Sequence, residues 1–510
     1  MSTHLWLASL THDLSRQCLA GATVGLLSHI LYFIRGYHDT QTLGIIIAHI
    51  AGYTTLLVLS NLSTATLISA SYLSTLFTSI TIYRLFFHRL RRFPGPLAAK
   101  ITRLYGPYTN RHGRMHQEQT ALFQKYGDIV RIGPNELYIR SSDAIQTIHA
   151  AKSGCRKRNA GVYNVVTFKG EPNLDSILDR EEHRYRRQVW ERAMTTKALA
   201  GYENTTRQTC HRWVKKISEF NGSPINTSLF ALLVSFENMG LIGFSHEFGT
   251  LEAGKEDRML KLLETMFGQL AQLGELVWPV AVMNSLGIGG GEFDALAMKM
   301  ADRRLALSPD TESSDIFGHL LKDFRSEKPI AYFNKNIVYS ESGFTMIAGT
   351  DTIAVVLSYV LYHLAEFPGY QARLFDEVAA VLGKTQPGEF VNNDLVNIEL
   401  LDAIINETLR LYNPVCNNAA RTTPPEGIVL SDGTWIPGDC SVRVPGYSQQ
   451  RSEKSFVRPD DFIPERWTTR PELILERAAF MPFLVGMYLT HCILGRSEWD
   501  ADDFVTNRAE

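Results

Sequence analysis

The feature that most constrains this chain is an abrupt change of character just after residue 92. Before it lie three apolar stretches, at residues 18–34, 43–60 and 65–87, the third rich in Ser and Thr. Each approaches the roughly 20 residues that cross a bilayer as a helix. A secretory signal peptide would instead show one short apolar core and a cleavage site. The sequence therefore predicts a retained membrane anchor over residues 1–92, with two or three transmembrane spans.

The anchor ends in a basic cluster followed by a rigid break. Arg84, Arg89, Arg91 and Arg92 flank the third stretch, and the segment 93–96 reads Phe-Pro-Gly-Pro. Basic residues beside a span stay on the cytosolic side, so we expect the rest of the chain to face the cytosol. Prolines cannot continue the anchor helix. A second unit, residues 93–510, is thus predicted to begin there.

Composition limits what this second unit can be. The formal net charge of −2 over 510 residues argues against a basic, nucleic-acid-coating protein. The six cysteines form no CxxC pair, so we expect free thiols rather than a zinc site or a disulfide scaffold. Hairpin patterns at 126–139 and 429–436, and two helices over 355–381 broken near Pro368, predict a mostly α fold with small β-sheets.

The first group of residues with chemical potential is Ala348-Gly349-Thr350-Asp351-Thr352, inside the apolar helical run 344–361. Gly and Thr are mediocre in the middle of a helix, where Thr tends to bond back to a carbonyl and bend the chain. A buried acid there is costly unless something polar lies opposite. On its own, the segment also fits an ordinary helix kink.

The second group pairs a helix with a later segment. Glu407 and Arg410 are three apart on a predicted helix, 401–411, and so share a face. Arg466 lies downstream in a Pro-Glu-Arg segment. A Glu-x-x-Arg pair is common by chance, and a buried carboxylate between two guanidiniums is tolerable only when it is fully hydrogen-bonded.

The third group is basic. His183 and Arg187 are four apart on one face of a strongly basic helix, and Arg421 follows much later. If the two cations of the helix face inward they require an anion. The alternative is a solvated basic face.

These motifs, taken together and in this order, resemble the cytochrome P450 family over roughly residues 93–486. The resemblance implies a cytochrome P450-like fold on a transmembrane anchor. It also implies a haem-thiolate monooxygenase that inserts one oxygen atom from O2 into a lipophilic substrate. NADPH would supply electrons through NADPH-cytochrome P450 reductase, a flavoprotein. Fungal members that modify terpenoids, alkaloids or polyketides are most similar, and an endoplasmic reticulum membrane is expected.

The resemblance also implies roles for individual residues. Asp351 and Thr352 would deliver protons to the reacting oxygen, while Ala348 and Gly349 would leave room in the pocket. The carboxylates of haem would be bound by His183, Arg187 and Arg421. A buried structural cluster would consist of Glu407, Arg410 and Arg466.

The haem-ligand loop departs from the family pattern. The expected Phe-x-x-Gly begins at Phe483, but Leu489-Thr490-His491 precede Cys492, which places this thiol two residues late. Cys492 is nevertheless the candidate iron ligand, although ligation demands a fixed loop geometry.

The residues after Cys492 are more acidic than the apolar helix that the family places there, so a truncated C-terminal region is expected. The codons of residues 486–488 could contain an intron donor, which suggests a mis-spliced gene model. Two other readings stay open: a haem-poor inactive pseudoenzyme, and a membrane scaffold or transporter-like protein.

Overall fold

The protein is described by a computed structural model covering residues 2–150, 152–157, 163, 167–168, 170–273, 276–288, 291–307, 315–383 and 391–485. The predicted fold class is confirmed, because helices dominate and the strands are short. The helices are α1 Ser2–Ser28, α2 Thr42–Leu59, α3 Leu62–Ile82, α4 Leu97–Ile101, α5 Tyr105–Thr109, α6 Met115–Tyr126, α7 Ser142–His149, α8 Arg180–Ala193, α9 Thr196–Ser218, α10 Thr227–Phe244, α11 Thr250–Ala253, α12 Arg258–Leu273, α13 Trp278–Ser285, α14 Gly291–Leu305, α15 Ile316–Phe324, α16 Lys335–Glu366, α17 Pro368–Leu382, α18 Asn392–Leu395, α19 Glu399–Leu411 and α20 Gly446–Gln450.

The strands form one mixed sheet and two small hairpins. They are β1 Ile129–Gly133, β2 Glu136–Ile139, β3 Arg156–Lys157, β4 Thr167–Phe168, β5 Glu171–Pro172, β6 Arg421–Thr422, β7 Ile428–Val429, β8 Trp435–Ile436 and β9 Ser441–Arg443. The mixed sheet has the order β1-β2-β9-β6-β3, and the hairpins pair β4 with β5 and β7 with β8. Both predicted hairpins, β1–β2 and β7–β8, are therefore confirmed.

The three helices of the predicted anchor, α1, α2 and α3, pack side by side. The α1 and α3 helices run in the same direction, since the Ser71 hydroxyl donates to the Cys18 carbonyl at 2.8 Å and His29 Nδ1 lies 2.7 Å from Ser79 Oγ. A Cβ atom at Gly21 or Gly25 would collide with the backbone of α3. Small residues four apart thus let the two backbones approach closely.

Four of the described helical segments are long and apolar enough to cross a membrane. Two belong to the anchor, Asp39–Leu59 and Leu62–Phe87, while α1 is not among them. The other two are α10 and α16, of which 67% and 33% of the apolar window is buried inside the protein. These two pack against each other in the body, so their apolar surface serves the core.

The anchor meets the body at Arg131. This fully buried side chain donates to the carbonyls of Arg84, at 2.9 Å, and Pro134, at 2.7 Å. Its backbone N–H donates to the Pro94 carbonyl at 2.7 Å, and a Cβ atom at Gly95 would collide with this strand. The proline-rich break is therefore a rigid joint, with a buried guanidinium bonded to carbonyls on both sides.

The core of the body surrounds α10 and α16. The α10 helix is predominantly apolar and is covered by α9, α14, α15 and α16. Its packing holds α16 in place, and the break before Pro368 separates α16 from α17 as predicted.

Candidate functional site

The segment Ala348-Gly349-Thr350-Asp351-Thr352 lies in the middle of α16, which continues through it as an unbroken α-helix. The Thr352 hydroxyl donates to the Ala348 carbonyl at 2.8 Å, one turn back. Gly349 is buried against Met239 of α10, where a Cβ atom would displace the methionine methyl group. The structure thus places the glycine at the contact between the two central helices.

Asp351 is half-buried in α16, and burial raises the pKa of its carboxyl. Within the described ranges no cation pairs with it. Glu264 of α12 lies near enough that Asp351 contributes to raising the pKa of the Glu264 carboxyl, after burial and Glu256. Because burial disfavours the charged form, Asp351 holds a proton at a higher pH than an exposed aspartate and can donate it.

The mixed sheet brings two buried cations face to face. Lys157 of β3 and Arg421 of β6 are direct partners across antiparallel strands, and both side chains are buried. Like charges directly opposite each other are destabilising in a sheet. Burial, together with the charge of Arg421, lowers the pKa of Lys157 to about 8 against the opposing effect of Asp175 and Glu341.

The α8 helix delivers His183 to the same place. The helix is capped by Asp179, whose carboxylate accepts from the Glu182 N–H at 2.7 Å. His183 is buried, and its pKa falls to about 3 because of burial and of three neighbouring cations, Lys157, Arg187 and Arg421. Its imidazole is therefore neutral at physiological pH.

Arg187 is the more exposed member of the predicted pair. Its Nε atom donates to the Glu191 carboxylate at 2.7 Å, and its side chain is 22% exposed. It still contributes to lowering the pKa of His183. The structure thus brings His183 and Arg421 together in the interior and leaves Arg187 at the edge.

His149, at the end of α7, extends this cluster. Its side chain is buried, and neither ring nitrogen has a hydrogen-bond partner among the residues that the structure describes. Burial lowers its pKa to about 3, with further contributions from Arg421 and Arg443. His149 and Arg421 both line a cavity of about 280 Å³. Buried polar atoms without partners need an explanation, and a bound anion or water provides one.

We use the name cation cluster for Lys157, Arg421 and Arg443 together with the two neutral histidines beside them, His183 and His149. The described charges that act on both histidines are all positive. Such a site favours a ligand carrying more than one carboxylate, because each carboxylate relieves repulsion between the cations. The two propionates of haem fit this requirement.

The motif residues Glu407, Arg410 and Arg466 form a separate cluster in the interior. Both oxygens of the Glu407 carboxylate accept from Arg410, at 2.8 and 2.9 Å, and Arg466 Nε donates to one of them at 2.9 Å. Trp467 Nε1 and the Ile463 N–H also donate to this carboxylate, each at 2.9 Å. The carboxylate thus has five donors and all three charged side chains are fully buried.

The described cysteines are free thiols. Burial raises the pKa of the four in the body, Cys155, Cys210, Cys416 and Cys440, the last to about 11. A thiol with a raised pKa is a poor metal ligand, because the thiolate is the form that binds. The predicted ligand, Cys492, lies outside the described residues.

Comparison with known proteins decides the family. The sequence model of the cytochrome P450 family matches residues 94–488. The chain belongs to the cytochrome P450 family. The match ends before Cys492.

Three relatives illustrate the similarity. The cytochrome P450 monooxygenase FCK2 of Fusarium pseudograminearum is 32% identical, over 91% of this chain and 86% of its own length. The monooxygenase sthD of Phaeosphaeria nodorum is 33% identical, over 84% of this chain and 88% of its own length. Tryprostatin B 6-hydroxylase of Aspergillus fumigatus is 30% identical, over 91% and 85%.

The predicted enzyme class is therefore confirmed. This cytochrome P450 is an oxidoreductase of the monooxygenase type rather than a membrane scaffold or transporter. Membership of the family implies a haem cofactor, electrons from a redox partner and a lipophilic substrate. The apolar N-terminal helices are compatible with a membrane anchor.

Lys157, His149 and Arg443 were not anticipated from the sequence. Lys157 and Arg443 lie in strands of two and three residues, too short to show a periodic pattern. Their meeting with Arg421 depends on pairing between segments far apart in the chain. No local signal in the sequence could have indicated it.

Proposed function

We propose that this cytochrome P450 is anchored in the endoplasmic reticulum membrane with its body in the cytosol. It takes electrons from NADPH through a flavoprotein reductase and oxidises a lipophilic secondary metabolite. The observation that carries the proposal is the cation cluster, which lies beside α16, the helix that bears Asp351 and Thr352.

Haem, when bound, supplies the iron that activates oxygen. In the cation cluster, Lys157, His183 and Arg421 would hold its carboxylates, and Arg187, which now donates to Glu191, would join them. His183 serves as a neutral hydrogen-bond donor, because its pKa lies far below physiological pH. Arg421 supplies the permanent charge.

In the proposed reaction, Asp351 and Thr352 are assigned to proton delivery. The raised pKa of the Asp351 carboxyl lets it hold a proton at a higher pH than an exposed aspartate and donate it. The Thr352 hydroxyl donates to the Ala348 carbonyl, so its oxygen lone pairs can accept a hydrogen bond from another donor. Gly349 lets α10 pack closely behind this segment.

Glu407, Arg410 and Arg466 have a structural role in the proposed enzyme. Their charges are matched and their hydrogen bonds are satisfied within the cluster. Such a group holds α19 to the segment around Trp467. Because its hydrogen bonds are satisfied within the cluster, we assign it no ligand.

The proposed orientation follows from the anchor joint. Arg84 and Arg89 donate to carbonyls of the body, those of Ile101 at 2.6 Å and Asp439 at 2.9 Å. The basic residues that border the third span therefore lie on the side of the body, and basic borders stay in the cytosol. Protease added to intact microsomes should degrade the body; protection of the body in the lumen would refute the orientation.

The substrate class rests on the relatives. One relative is named for 6-hydroxylation of tryprostatin B. We infer that this chain hydroxylates a comparable lipophilic metabolite, namely an alkaloid, a terpenoid or a polyketide. The test is to incubate candidate metabolites with microsomes that contain the chain, a reductase and NADPH. We expect a product whose mass is increased by that of one oxygen atom.

The ligand of the iron is proposed to be Cys492, which follows Leu489-Thr490-His491 and so comes two residues later than the family pattern places the cysteine. This difference from the family pattern favours two alternative hypotheses: a transcript that leaves the present reading frame after Gly486, and a haem-poor pseudoenzyme. Sequencing cDNA across this junction tests the first. A transcript that reads straight through Cys492 would defeat the splicing hypothesis.

The ferrous–carbon monoxide spectrum of the full chain distinguishes the two remaining hypotheses, thiolate ligation by Cys492 and a haem-poor pseudoenzyme. A red-shifted band, present in the chain and lost in Cys492→Ser, supports thiolate ligation by Cys492. The control is Cys440→Ser, which should keep the band because the Cys440 thiol is buried with a raised pKa. A chain that binds no haem, or binds it without this band, supports the pseudoenzyme.

A further inference from the structure

A buried carboxylate, Glu341, lies where α8 crosses α16, away from the motif residues. The side chain is fully buried and accepts hydrogen bonds from two elements outside its own helix. On one oxygen, Trp190 Nε1 of α8 donates at 3.2 Å and the Leu174 N–H at 3.3 Å. On the other oxygen, Arg186 Nη1 of α8 donates at 3.4 Å. Glu341 is therefore the polar link between the two helices.

The partners of Glu341 are themselves held firmly. Arg186 is buried, donates to the Pro172 carbonyl at 2.6 Å and also pairs with Glu182. The Trp190 ring packs edge-on against Phe344 of α16, with ring centroids 5.7 Å apart. Burial raises the pKa of the Glu341 carboxyl to about 7, opposed by the Arg186 charge and by the N–H donors. A buried carboxylate is retained only where such donors surround it.

The position of Glu341 connects the two halves of the site. On α8, Arg186 and Trp190 follow His183 by three and seven residues, so all three lie on one face. On α16, Thr352 follows Glu341 by eleven residues, about three helical turns, and so lies on the same face. One side chain thus fixes the face that carries His183 relative to the face that carries Thr352.

We propose that Glu341 is a positioning residue that holds the carboxylate-binding face of α8 in register with the face of α16 that carries Thr352. Its two oxygens are both needed, because Arg186 uses one and Trp190 with Leu174 uses the other. A glutamine at this position has a single acceptor oxygen, so its amide N–H2 must face donors on one side. The inference rests on the proposed function only for the identity of the carboxylate ligand.

Electrostatics alone predicts the opposite outcome, which makes the inference testable. Glu341 lies near Lys157 and favours its charged form. Removing this negative charge leaves the cation cluster more positive and should strengthen carboxylate binding. If Glu341 positions α8, the same change should weaken carboxylate binding, because the donors of α8 lose their alignment.

The experiment compares Glu341→Gln with the matched control Glu237→Gln in the full chain at pH 8. Glu237 is also fully buried and accepts N–H donors, from Phe248 at 2.9 Å and Thr250 at 3.1 Å, but it lies on α10. Hydrogen–deuterium exchange measures how strongly the backbone amides of residues 180–193 are protected from local opening of α8. Quenching of tryptophan fluorescence by haemin, and by haemin dimethyl ester, reports carboxylate recognition.

Glu341→Gln should speed amide exchange in α8 by about tenfold or more and weaken haemin binding by a similar factor, with little change for the ester. Glu237→Gln should leave both readouts of α8 unchanged. Unaltered exchange in α8, or tighter haemin binding, would overturn the positioning role. If the unaltered chain fails to distinguish haemin from its ester, the proposed cofactor site fails instead, and exchange in α8 still decides the role of Glu341.

Discussion

Two groups of buried charges in this cytochrome P450 differ in how their charges are arranged: one pairs a carboxylate with guanidiniums, and the other brings cations together. In the cluster of Glu407, Arg410 and Arg466, five donors converge on one carboxylate. In the cation cluster, Lys157 faces Arg421 across a strand pair, and the charges that act on His183 are all positive. In the first cluster a carboxylate lies between the guanidiniums, whereas in the second two cations are direct neighbours, so an added anion should stabilise the second more than the first. The first arrangement is typical of a structural cluster and the second of a binding site for anions.

The largest effect expected from this comparison is that of Glu407→Ala. The change leaves two buried guanidiniums without their carboxylate, which should cost about 3–5 kcal/mol in free energy of unfolding. Urea denaturation of the detergent-solubilised chain measures it. Glu465→Ala is the control, because Glu465 is only partly buried and its partners, Arg373 and the Tyr370 hydroxyl, are less enclosed, so the change should cost less. Equal losses in the two variants would contradict the structural role of the Glu407 cluster.

Removal of a charge from the cation cluster should have the opposite sign. Without haem, Arg421→Gln relieves the repulsion with Lys157 and should leave the free energy of unfolding unchanged or raise it by up to about 1 kcal/mol. The same denaturation experiment tests this. A loss as large as that of Glu407→Ala would show that Arg421 is a structural residue and would remove the contrast.

A pH dependence should sharpen the comparison. The pKa of His183 is about 3 in the folded protein and near its ordinary value of 6.5 when unfolded. Because the unfolded chain binds more protons between these values, the haem-free protein should lose stability as pH falls from 6.5 towards 3. The loss is at most about 1.4 kcal/mol for each pH unit. His183→Gln should flatten this part of the stability curve, and an unchanged curve would show that His183 does not titrate as described.

The smallest effect on the fold is expected for Thr352→Ala, which touches neither cluster. Only the hydrogen bond to the Ala348 carbonyl is lost, so unfolding should change by less than about 1 kcal/mol. If the chain binds haem, its spectrum should be preserved while reductant consumption becomes uncoupled from product formation. Product yield per NADPH measures the coupling, and an unchanged yield would remove Thr352 from proton delivery.

What the sequence could predict follows the same division. The helix that carries Glu407 and Arg410, the two hairpins and the break at Pro368 are local patterns, and the structure contains them all. The order of the motifs was sufficient to indicate the family.

The rest of the site depends on contacts between distant segments. The β3 strand pairs with β6, and β2 with β9, across most of the length of the body. Lys157, His149 and Glu341 acquire their neighbours only through this pairing and through the crossing of α8 with α16. No periodicity or spacing within one segment encodes such meetings.

The most direct test of the cation cluster is a titration of the haem-free full chain with haemin and with haemin dimethyl ester, which lacks the carboxylates. Chain with Arg421 intact should bind haemin at least about tenfold more tightly than the ester, and Arg421→Gln should lose most of this preference. Equal affinity of the intact chain for haemin and ester would contradict the assignment of Lys157, His183 and Arg421 as the carboxylate-binding site.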